Sequence, residues 1–70
     1  MPLALAGVGE KRTIKSFVGD EQAARHLCDM GFVAGEQVEI LSESPAGLIL
    51  LVKGVRVAVN RGLAQRIMVA

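Results

Sequence analysis

The stretch Ala23 to Ile40, AARHLCDMGFVAGEQVEI, constrains this chain more than any other. Ala23, Leu27 and Met30 fall at i, i+4 and i+7, one face of a 3.6-residue period, so the segment opens as a helix. Gly31 stands where that period ends. Glycine enters the left-handed conformation that closes many helices without a Cβ penalty. With Gly31 at C′, Phe32 is C″ and Leu27 is C3, the two positions that commonly touch across a Schellman ending. Gly35 permits a second turn, and Val38 and Ile40 begin an alternating strand. The segment reads helix, forced stop, strand. The rest of the chain must supply what this pair packs against.

Upstream, Leu3 and Leu5 form a short apolar anchor, and Gly7 and Gly9 turn the chain around Val8. Glu10 to Val18 reads as a strand whose alternation fails at Phe17 and Val18. A bulge near Lys15 and Ser16 explains that failure. Lys11, Arg12 and Lys15 read as its solvated face. Asp20 suits the N-cap of a helix reaching about Met30, with Glu21 where a carboxylate favours the helix dipole. Arg25 and Asp29, at i and i+4, are spaced to pair on the outer face.

Downstream, Glu36 to Glu43 reads as a strand, and Ser44-Pro45-Ala46-Gly47 as a turn. Gly47 to Lys53 is apolar on both faces, so it is expected to be central or covered by another element. Gly54 reverses the chain. Val55, Val57 and Val59 then alternate with Arg56 and Ala58 as a half-buried strand. Asn60 suits the cap of a single helical turn. Arg66 to Val69 closes as a last strand with Ile67 and Val69 inward. The expectation is one mainly β domain over residues 1–70: about five strands, one inserted helix and one short helical turn. Closure into a small SH3-like barrel removes exposed strand edges.

Composition excludes several functions. The single cysteine allows no internal disulfide and fits a reducing compartment. There is no CxxC or Cys/His array for structural zinc. His26 and Cys28, two residues apart, point to nearly opposite sides of a helix. His26 and Asp29 share a face but make an incomplete metal site, so no cofactor is expected. Cys28 reads as a half-buried small apolar residue. No catalytic constellation is present, and no G-x-x-x-x-G-K-S/T loop for GTP. Eight basic and seven acidic residues leave a net charge of +1, too balanced for nucleic acid. The two phenylalanines are too few for a base-stacking platform. The longest strongly apolar run, Leu48 to Val52, is far below the roughly 20 residues that span a bilayer. The start lacks the basic region of a secretory signal. A soluble cytoplasmic protein is expected. Without Trp or Tyr there is no aromatic groove for proline-rich peptides.

What remains is a protein-binding surface. Apolar residues make up 51% of the chain, more than so small a core hides. An exposed apolar patch usually marks an interface. Its expected place is the end of the helix and the loop after it, Met30, Phe32, Val33 and Ala34, with Arg56 and Arg61 on the rim. Strand edges or this patch also make a homo-oligomer an option.

LCDMGFVAGEQVEI (27–40) and GLILLVKGVRVAVNRGLAQRIMV (47–69) together resemble the ferrous iron transport protein A, or FeoA-like, family. The shared pattern is Leu27, Met30, Gly31, Phe32, Gly35 and Val38, then Val52 and Gly54, then Ala64, Ile67 and Val69. The resemblance implies an SH3-like barrel in the cytoplasm. It also implies an accessory role beside a membrane ferrous iron transporter of the FeoB type, whose G domain hydrolyses GTP. An Fe(II)-binding sensor or iron chaperone is the alternative. Similar domains end metal-dependent repressors, and this chain shows no helix-turn-helix or dimerisation portion.

Overall fold

The computed structural model describes all 70 residues. Five strands form one antiparallel sheet: β1 (Lys11–Phe17), β2 (Gln37–Ser44), β3 (Gly47–Val52), β4 (Val55–Asn60) and β5 (Ile67–Val69), in the order β4-β3-β2-β1-β5. Helix α1 (Glu21–Asp29) lies between β1 and β2, and the single turn α2 (Arg61–Ala64) between β4 and β5.

β1 curls the sheet by serving two partners. Its first half, Lys11 to Thr13, pairs with β2, and its second half, Ile14 to Phe17, pairs with β5. β4 and β5, at the ends of the order, do not pair with each other, so the SH3-like barrel stays open and the expected removal of strand edges by closure does not occur. The register shifts between Ile14 and Ser16, at the position where the broken alternation required a bulge. A bulge bends a strand and increases its twist, which lets one strand leave one ladder for another. The loop after α1 clamps this bend: Ile14 N–H donates to the Glu36 carbonyl at 2.9 Å and Gly35 N–H to the Ile14 carbonyl at 2.8 Å.

Both helices are capped as their sequences require. The Asp20 carboxylate accepts from the Ala23 amide at 2.8 Å, and the Asn60 side-chain oxygen accepts from the Leu63 amide at 2.8 Å. α1 ends in a Schellman motif. Gly31 sits at φ 101°, its amide donates to the Cys28 carbonyl at 2.9 Å, and the Phe32 amide to the Leu27 carbonyl at 3.0 Å. Leu27 and Phe32 are both fully buried.

The core is wholly apolar. Leu27 and Phe32 join Ile14, Val38, Ile40, Leu48, Leu50, Val52, Val59, Ile67 and Val69 from the inner faces of the strands. No polar side chain is buried. The start of the chain departs from expectation. Leu3–Leu5 is a 3₁₀ turn, so Leu3 and Ala6, one turn apart, are buried while Leu5 is 73% exposed. Val55 also departs: it pairs with Val52 at the very end of the ladder and stands in solvent. No helix is long and apolar enough to cross a membrane.

Candidate functional site

The patch expected at the end of α1 is smaller than the sequence suggested. Phe32 is not on the surface; as C″ of the Schellman motif it is fully buried in the same core cluster as Leu27. Met30 is half-buried and packs against the same core. Only Val33 and Ala34 remain open to solvent. Arg56 stands on β4 and Arg61 opens α2. The loop carrying Val33 and Ala34 bonds to β1, whereas Arg56 lies on β4 at one end of the sheet order. Arg61 follows the far end of β4, about 17 Å from Arg56 by strand rise. Its guanidinium is already engaged, donating to the Ser44 carbonyl at 3.0 Å and lying 3.9 Å from Glu43.

The weak metal candidates share a face as read. His26 and Asp29 line a shallow polar hollow along α1 with Asp20, Gln22, Ala23 and Arg25. No three His, Cys, Asp or Glu side chains group closely enough to hold a metal ion. Cys28 is exposed rather than half-buried, because it lies about 100° around α1 from Leu27, off the stripe that faces the core. Arg25 and Asp29 form no ion pair. A cation placed N-terminal to its acid is the weaker helical order, and both side chains are in water.

The Glu10 carboxyl is perturbed by its neighbours. Hydrogen bonds from the Arg12 guanidinium, at 2.7 and 3.1 Å, hold its carboxyl below the ordinary range, with help from the Gly7 amide and the Arg12 charge. Both side chains are well exposed, so the pair contributes little stability.

A second apolar surface lies on the outer face of the β2-β3-β4 hairpins. Leu48, Leu50 and Val52 of β3 point into the core, so Ile49 and Leu51 point away from it. No helix covers them: Ile49 is 37% exposed and Leu51 half-buried. Of the two expected placements this strand takes the central one, between β2 and β4, and its outer face stays open because both helices are committed elsewhere, α1 through Leu27 and α2 through Ala64. Leu41, Ser42, Ile49, Arg56, Val57 and Ala58 line a groove there. A second hollow shares Ser42, Ile49 and Ala58 and runs on towards Ser44 and Asn60. The signal for this face was already in GLILLVK, which is apolar on both sides.

The comparisons agree with this architecture. The family model described as FeoA domain matches residues 1–70. A curated relative from Methanocaldococcus jannaschii, carrying the provisional name Fe(2+) transport protein A, is 34% identical over 68 residues, 97% of this chain and 83% of its own. A crystal structure of an iron uptake regulatory protein (FeoA) superposes with TM-score 0.92 at 37% identity, covering 99% of this chain and 93% of that one. Stenotrophomonas maltophilia FeoA complexed with zinc is described as a prokaryotic SH3 domain protein and a candidate activating factor for ferrous iron transport. It superposes with TM-score 0.86 at 26% identity, covering 100% and 89%. A manganese-dependent transcriptional repressor shares the fold alone, at 18% identity over 40% of its length and TM-score 0.92. With a family match running from its first residue to its last, on a mainly β, SH3-like fold, this chain belongs to the FeoA family.

Proposed function

We propose that this chain is an accessory module of ferrous iron uptake. In this reading it works in the cytoplasm by binding a membrane transporter of the FeoB type, and it performs no reaction itself. The observation that carries the reading is the full-length FeoA match, joined to the description of the S. maltophilia relative as a transport-activating candidate. The surface is compatible with it. The one cysteine and the one histidine are both exposed on α1 without a third ligand. The open apolar face of β3 is of the kind that marks interfaces.

The test is a pull-down from membranes with this chain as bait, run with and without guanine nucleotides. Recovery of a transporter with a G domain is expected, and consistent failure in both arms counts against the reading. The zinc complex of the S. maltophilia relative favours a second reading, direct Fe(II) capture by a chaperone or sensor. Equilibrium dialysis against Fe(II) separates the two: stoichiometric, tight uptake by the purified chain supports capture and weakens the proposal.

A further inference from the structure

The two edges of the sheet are treated differently. On β5 the edge is sealed by the start of the chain. The Val69 amide donates to the Met1 carbonyl at 2.7 Å, the terminal ammonium donates to the Val69 carbonyl at 2.8 Å, and Pro2 bridges to Met68. On β4 nothing seals it. Val55 to Val59 make backbone hydrogen bonds only within the ladder to β3. Exposed edges are ordinarily blunted by proline, bulges, extreme shortness or several charges. β4 has six residues, no proline, an unbroken register against β3 and a single charge, Arg56.

The side chains beside that open edge are specific. Ala58 lies directly opposite Ile49, and its methyl group leaves Ile49 reachable from the edge. Two residues back on the same face stands Arg56, which makes no ion pair and no side-chain hydrogen bond. The groove it borders contains no acid. The nearest acid in its cross-strand row is Glu39, beyond Leu51, and Glu39 already faces Lys11. The face therefore offers an apolar seat and an uncompensated positive charge about 6.6 Å apart, the rise of two strand residues.

We infer that β4 is a docking edge for an extended segment of another protein. That segment adds as a sixth strand and carries a large apolar residue and an acidic residue at i and i+2. Main-chain hydrogen bonds would supply the affinity and the two side chains the selectivity, as in strand addition generally. The charge argues against a second copy of this chain as occupant, because pairing β4 with itself brings two arginines to one seam and no acid. The inference names a surface for the protein-binding role proposed above and rests on it.

The test is selection of a phage-displayed random heptapeptide library on the immobilised full chain. The expected result is at least tenfold enrichment of Asp or Glu two residues from Leu, Ile or Phe. Arg56→Glu should switch the charged position to Lys or Arg with the spacing kept, and Ala58→Leu, which covers Ile49, should abolish the large apolar preference. Both sites are exposed, and circular dichroism verifies that the variants fold. A synthetic peptide of the selected sequence should protect β4 amides from hydrogen exchange. Absence of enrichment, selection unchanged by Arg56→Glu, or protection at Val33 and Ala34 instead would overturn the inference. So would a dimer in size-exclusion chromatography with β4 amides protected before any peptide is added. Transporter recovery in the pull-down alongside a failed selection removes this edge and leaves the accessory role standing.

Discussion

Gly47 is the residue whose replacement tests the packing most directly. It opens β3 and is buried against the end of β4. A Cβ built there lies 2.1 Å from the Val59 carbonyl oxygen and 2.9 Å from the Asn60 Cα, whereas ordinary contact begins at 3.4 Å. The obstacle is backbone, so no side chain can swing aside. Gly47→Ala must drive β3 and β4 apart by more than about 1 Å at this end, beyond the roughly 3 Å reach of a ladder hydrogen bond. The same displacement moves Asn60, whose side chain caps α2. Overpacking costs about 1–3 kcal/mol and loss of a cap about 1 kcal/mol. A chain of this length has a total stability of roughly 4–10 kcal/mol, so a loss of about 2–4 kcal/mol is a large share. At about 4–8 °C per kcal/mol for a domain this small, the midpoint should fall by at least roughly 8 °C.

Gly31 supplies the control, because there the demand is conformational and not steric. Its φ is 101°, yet a Cβ would meet nothing within 4 Å. Gly31→Ala should cost about 1–2 kcal/mol for the left-handed backbone, reduced by about 0.4–1 kcal/mol from the stiffer unfolded chain. A synthetic chain with D-alanine at position 31 should be at least as stable as the parent. Urea unfolding followed by circular dichroism measures all three. Gly47→Ala within about 0.5 kcal/mol of the parent, the range of an inconsequential surface change, would refute the close-approach argument. So would a Gly31→Ala loss exceeding that of Gly47→Ala.

Leu27→Ala should cost about 2–5 kcal/mol, because it empties a fully buried site on α1; urea midpoints measure it. Asp20→Ala should cost about 1 kcal/mol by the same assay, through loss of the cap on the Ala23 amide. Glu10 should titrate below ordinary glutamates by NMR, and Arg12→Gln should return it towards them. Because its folded pKa is depressed, whatever stability it contributes is present above the unfolded pKa and lost as pH falls through the folded one; the Arg12→Gln variant should lose less on acidification. Val33→Asp should leave stability unchanged, since the side chain is exposed, and should weaken transporter recovery only if the α1 loop contributes to docking.

What the sequence disclosed was local. The Schellman closure follows from one glycine and two apolar residues at fixed offsets, and the bulge in β1 from one break in alternation. The caps at Asp20 and Asn60 were equally legible, since their hydrogen bonds span three residues. The errors came where a residue's fate depends on a distant element. Phe32 reads from the sequence both as the partner of Leu27 and as a surface residue, and its full burial allows only the first. GLILLVK shows two apolar faces but not whether a helix is left over to cover the second. That depends on where α1 and α2 spend their own apolar residues. Leu5 turned outward because a three-residue turn, not an extended anchor, carries the start of the chain.

The energetics of the interior bear on what kind of binding such a fold supports. An obligate partner usually completes an unfinished core, leaving apolar or polar groups that the lone chain cannot satisfy. Here the inner face is closed. Every buried side chain is apolar, no buried polar side-chain atom lacks a partner, and Met1 completes the β5 edge from within the chain. Ile49 and Leu51 form an open apolar face on the outside of an already paired strand. Covering it adds affinity without being needed for folding. A partner at that face can therefore leave while the barrel stays intact, which suits reversible control of a larger machine rather than permanent assembly into it.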